Sequence, residues 1–121
     1  APAHRATAWL GVTRPVRATV VGIEASLAAV SPQFLRGDEG NTQAPLAGYT
    51  VAGARAHVAW RHLTTTVDVT NLLDRRYASF GIWGENALAP DGSLLPDGER
   101  VERFLTPGLP RSITVTLSIA R

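Results

Sequence analysis

Glu24, Arg55, His57 and Asp68 are the side chains in this chain best suited to handling a charged solute. Each stands in a stretch where apolar residues occupy every second position. The parity places all four on one side of their strands. Two carboxylates, a guanidinium and an imidazole on one wall can act as a solute path. The better-supported reading is a hydrogen-bond and ion-pair network on a wet surface, because such walls are normal where a sheet lines water. His4, His57 and His62 have no carboxylate partner at i+2 or i+4, so no metal site is expected. Asp91 and Asp97 recur in Pro-Asp-Gly, where Pro presets the turn and Gly supplies positive φ, and two turns explain them without an ion. There is no Cys, no G-x-S-x-G and no supported Ser-His-Asp grouping. An enzyme is the last of the readings, and no cofactor is expected.

The elements that must carry these residues read as strands, since apolar residues recur with a period close to two. The expected strands are 4–12, 17–30, 49–61, 64–71 and 112–120. Ala6, Ala8, Leu10 and Val12 share the apolar face of the first, with Trp9 awkwardly on the polar face unless a bulge re-aims it. Thr13–Val16 is expected as a turn in which Pro15 stops the ladder. Val21, Ile23, Ala25, Leu27 and Ala29 line the second strand. Helix is the rival for Ala25–Val30, but the β-branched residues before it and Pro32 after it favour strand. Ala52, Ala54, Ala56, Val58 and Trp60 line the third. Val67 and Val69 oppose Thr66, Asp68 and Thr70 on the fourth. Ile113, Val115, Leu117 and Ile119 line the last. The segments 31–48 and 72–110 are rich in Pro, Gly, Asp and Asn and are expected as long loops; parts of the second can extend its flanking strands as a hairpin. Its aromatics Phe80, Trp83 and Phe104 are candidates for ligand contact, or for the loop's own small core.

Connections therefore alternate short, long, short, long. Eight of the ten acidic residues lie in the two long loops. No interior position of the expected apolar faces is charged. That pattern fits a one-sided sheet first and a membrane-facing one second. The Ala-rich face of the third strand would fill a globular core poorly, whereas lipid tails conform to it. Over 121 residues, 18% are charged and the formal net charge is +2. All basic residues other than His are Arg, and they do not cluster with aromatics, so nucleic-acid binding is not expected. No run reaches the roughly 18–20 apolar residues of a membrane-spanning helix, while a barrel strand needs only about 9–11. The chain starts with Ala1 and lacks Met, and is read as a segment of a longer or processed protein. With an apolar face and two bare edges, it is expected to aggregate alone in water.

Several blocks, in order, carry a family resemblance over nearly the whole chain. These are Pro2-Ala-His-Arg5, Tyr49-Thr-Val51 after Phe34-Leu-Arg-Gly-Asp-Glu39, Asn71-Leu-Leu-Asp74-Arg-Arg-Tyr77, and Pro107-Gly-Leu-Pro-Arg111 leading into the final strand. The arrangement resembles the C-terminal β-barrel segment of TonB-dependent outer-membrane receptors. The resemblance implies an all-β fold: an antiparallel meander of about five long strands, part of a 22-stranded transmembrane barrel. It implies the outer membrane of a Gram-negative bacterium as location. The implied partners are membrane lipid, a plug domain of the full-length chain, the TonB energy-coupling complex reached through that plug, and an imported scarce solute such as a ferric siderophore. An aromatic residue usually stands last in this family; by parity Arg121 takes that place. Asn71, Asp74 and Tyr77 of the shared block are read as structural rather than ligand-binding: Asn and Asp as local caps of backbone turns, Tyr77 as a member of an aromatic girdle with its ring in lipid. Trp60 suits the opposite girdle. The alternatives are a soluble β-sandwich binding module and a passive porin-like or autotransporter barrel.

Overall fold

The computed structural model describes every residue except Asp97 and Arg121; the expectations for those two positions lie outside the described residues. The chain is all-β, with strands β1 (Arg5–Val16), β2 (Thr19–Val30), β3 (Tyr49–Trp60), β4 (Leu63–Thr70), β5 (Ala78–Asn86), β6 (Arg100–Pro107) and β7 (Ser112–Ile119). A five-stranded antiparallel sheet has the order β1-β2-β3-β4-β7, and β5-β6 form a separate two-stranded hairpin.

Two expectations differ by more than one or two residues at a strand end. The first strand continues through Pro15, which pairs with Val20; the expected turn at Thr13–Val16 is strand. An edge strand tolerates proline because its missing N–H can fall on the unpaired side, and β1 is an edge. The reversal falls instead at Arg17 and Ala18, with Arg17 in the left-handed region at φ 57. The 72–110 segment, expected as a loop, holds β5 and β6, which form their own sheet and do not lengthen β4 and β7. Their sequences carry Ile82, Val101 and three aromatics, favourable for strands, and the turn at Pro90–Gly92 falls between them.

Registers are continuous across the five-stranded sheet, so parity holds from strand to strand. Leu10, Ala25, Ala54, Val69 and Ile113 form one cross-strand row, and Val12, Ile23, Ala56, Val67 and Val115 the next. None of the described residues forms a second layer over them: Leu10 is 78% exposed, Ile23 65% and Val115 62%. Among the described residues the buried apolar side chains are Leu35 and Leu46, both in the 31–48 loop. The sheet itself is a single layer.

Candidate functional site

On the opposite face, register brings the polar candidates together. Glu24 pairs with Arg55, and Arg55 with Asp68, in a row bounded by Gly11 and Thr114. Arg55 Nε donates to Asp68 Oδ1 at 2.6 Å. His57 lies one row nearer the short turns, between Gly22 and Thr66. Its imidazole rests over Gly22: a Cβ there would come within 2.0 Å of His57 Cε1. A hollow of about 200 Å³ beside the row is lined by Glu24, Ser26, Arg55, Asp68 and Thr70, among others. The arrangement makes a fixed, wet, charged belt. Among the described residues no group of three or more His, Asp or Glu side chains could hold a metal ion. Trp9 stays on this polar face at 69% exposure, opposite Ser26; β1 and β2 pair without a break, so no bulge re-aims it.

The Asn71–Tyr77 block forms a clasp between the end of β4 and the start of β7. Asn71 is 3% exposed, with φ 49. Its Oδ1 accepts from the Arg75 amide at 2.9 Å, and its Nδ2 donates to the carbonyls of Arg75 at 2.9 Å and Leu109 at 3.0 Å. Asp74 Oδ1 accepts from the Arg111 amide at 3.0 Å. The short side chains of Asn and Asp reach local backbone and tolerate the left-handed region, which is why these types stand here. Tyr77 differs from its expectation. Its ring stacks on Tyr49 with centroids 4.3 Å apart, and Tyr49 shares the row of Arg5 and Val30 on the polar side. Gly108 lies against the same ring, where a Cβ would come within 2.1 Å. Tyr77 is therefore a packed member of the clasp on the polar side, not a lipid-facing girdle residue.

The two long loops are joined. Trp83 N–H donates to the Arg36 carbonyl at 2.8 Å, and Arg36 pairs with Ile82 in a parallel bridge. Residues 34–37 thus extend the β5-β6 hairpin as a short third ribbon. Register splits the three candidate aromatics. Phe104 pairs with Ile82, on the side of Phe80, whereas Trp83 and Gly81 face the other way. Trp83 is half-buried against Gly37, on the face that Gly81 shares with Leu35, and among the described residues its buried Nε1 has no hydrogen-bond partner. Phe80 is 52% and Phe104 44% exposed, and Phe34, which the sequence reading did not single out, is exposed on the same side. Phe34, Arg36 and Phe80 line a depression of about 690 Å³ together with Arg5, Asp38 and Glu39, among others. Phe34 and Leu35 are adjacent apolar residues with no period-two alternation, so the sequence carried no strand signal for this ribbon.

Asp38 shapes the loop below the depression. Its carboxylate accepts from the Gln43 amide at 2.9 Å and from the Thr42 amide and hydroxyl at 3.0 and 3.1 Å. The Gln43 bond foremost holds its pKa below the usual carboxylate range, opposed by burial and aided by Thr42. Near the hairpin tip, the hydrogen bond that the protonated Glu99 carboxyl donates to the Glu85 carboxylate, together with the charge of Glu85, holds Glu99 above its ordinary value. No protein-family model, curated protein or solved structure matches the chain.

Proposed function

We propose that this chain is the C-terminal wall of a TonB-dependent outer-membrane receptor, which binds and imports a scarce solute, a ferric siderophore in the first instance. The observation that carries the reading is the two-faced single layer: an apolar face shared by five strands and left bare by the described residues, backed by the Glu24–Arg55–Asp68 belt. A soluble sandwich would seal that face under a second sheet; among the strands, β5 and β6 contact only each other. The uncharged apolar positions of β2 run from Val21 to Ala29. At about 3.4 Å per residue and a tilt of about 40° they cover roughly 20 Å of membrane normal, near the apolar band of about 25 Å in outer-membrane barrels. The order of the sequence blocks supplies the receptor class, and the long joined loops with exposed aromatics give a surface for first contact with solute. On this reading the belt faces the plug domain, and energy arrives through the plug from the TonB complex.

The test uses the complete reading frame encoding this chain, assembled in outer membranes. Single cysteines replace Ile23, Val67 and Val115 on one face and Ser26, Thr66 and Thr116 on the other, each carrying a nitroxide. The first set should be accessible to membrane-dissolved oxygen and the second to a water-soluble nickel chelate. Equal access on both faces would refute the barrel. Unimpaired growth on ferric siderophore as sole iron source after deletion of the frame would refute the solute class.

A further inference from the structure

The short-turn end of the sheet has a chemistry of its own. Because β1 runs through Pro15, Arg14 lies on the apolar face, paired with Val21 one row above the final row of Val16, Thr19, Trp60, Leu63 and Ile119. Arg17 and Arg61 occupy the two adjacent turns, each exposed and each left-handed, at φ 57 and 52. Since Thr19 pairs with Trp60, these turns are neighbours, about 10 Å apart at two strand spacings. Among the described residues the ion pairs are Arg55–Asp68 and Arg100–Glu102, so none joins a carboxylate to these three arginines. The acidic residues lie in the long loops or at mid-sheet. The Arg61 guanidinium sits 5.0 Å from the centroid of the Trp60 ring. Beside it a hollow of about 270 Å³ is lined by Trp60, Arg61, His62, Leu63 and Ile119. The His62 carbonyl accepts from the Ala120 amide at 2.8 Å, fixing the end of the last strand against this turn.

From this geometry we infer a binding site for an anionic glycerophospholipid, with its phosphate on Arg14, Arg17 and Arg61 and an acyl chain in the hollow beside Trp60. The inference rests on the membrane reading above. An arginine on a lipid-facing surface is tolerated only near the interface, where its stem lies along apolar surface and its head reaches the phosphates. The guanidinium fork matches phosphate oxygens in pairs. The hollow supplies the other half of an amphipathic ligand, apolar wall below and cationic rim above. A free anion would have no use for that wall.

The complete protein is reconstituted into nanodiscs of equimolar phosphatidylglycerol and phosphatidylcholine, then extracted into detergent, and retained lipids are identified by native mass spectrometry. The unaltered protein should retain phosphatidylglycerol in preference. Arg14→Gln, Arg17→Gln and Arg61→Gln should each lower that preference about five-fold, following about 1 kcal/mol per basic residue at a membrane surface. The triple lysine variant keeps the charges without the fork and should retain a preference between those of the unaltered protein and the triple glutamine variant, which guards against a folding artefact, and Arg76→Gln, at the other end of the sheet, should leave it unchanged. A triple glutamine variant with undiminished preference overturns the site while leaving the barrel intact. Displacement of the lipid by glycerol 3-phosphate would reassign the site to a soluble anion and overturn the lipid commitment. Failure to insert into any nanodisc would instead sink the membrane reading, and this inference with it.

Discussion

Replacing Asn71 tests whether the clasp holds the base of the β5-β6 excursion. Asn71→Ala removes three hydrogen bonds at 2.9, 2.9 and 3.0 Å from a side chain that is 3% exposed. At about 1 kcal/mol each, the loss is about 3 kcal/mol. Alanine in the left-handed region adds about 1–2 kcal/mol. Water reaching the exposed Arg75 backbone returns part of this, leaving about 3 kcal/mol, or roughly a hundred-fold in a local opening equilibrium. Asn71→Gly relieves the backbone conformation and loses only the bonds, so its opening should rise about thirty-fold. Asn71→Asp keeps the acceptor and the tolerated φ but turns a carboxylate oxygen toward the Arg75 and Leu109 carbonyls. It should be as harmful as alanine at neutral pH and partly recover when protonated. The assay is amide hydrogen exchange at Arg75, Gly108 and Arg111, whose N–H groups bond to Asn71 Oδ1, the Tyr77 carbonyl and Asp74 Oδ1. The three amides should lose protection together. Unchanged exchange at all three in Asn71→Ala would refute the clasp, and a glycine variant worse than alanine would refute the assigned backbone cost.

Two further outcomes follow from the loops and the polar belt. Asp38 has a depressed pKa, so its contribution to the 31–48 loop is present above the ordinary aspartate value of about 3.9 and fades as pH falls through its folded value; the Thr42 and Gln43 amides should there lose protection relative to their intrinsic exchange rates, and Asp38→Asn should abolish that pH dependence. Gly22→Ala drives a methyl into the space of the His57 imidazole; because only the tip of that side chain must swing aside, the loss should be small, about 0.5–1 kcal/mol, the cost of an off-rotamer side chain. His57→Ala in the same chain should recover most of that loss in a double-mutant thermal unfolding cycle, whereas strictly additive effects would contradict the contact.

The sequence alone determined the two faces of the five sheet strands, because side-chain direction alternates with each residue and needs no knowledge of partners. Glu24, Arg55, His57 and Asp68 fell on one side for that reason. The alternation of short and long connections was equally local, readable from Pro, Gly and Asn content. Arg14 escaped because proline normally ends a strand, whereas Pro15 stays in the ladder opposite Val20, one pair before the turn. Phe80, Trp83 and Phe104 looked like one cluster because composition does not reveal which side of a hairpin each residue takes; a register shift between Ala78 and Phe80 and the pairing with β6 decide it. The side of Tyr77 depended on Tyr49, and the union of the loops on a bond between Arg36 and Trp83. Hydrogen bonds between backbone groups far apart in the chain carry no side-chain signature, so only the assembled structure could select those partners.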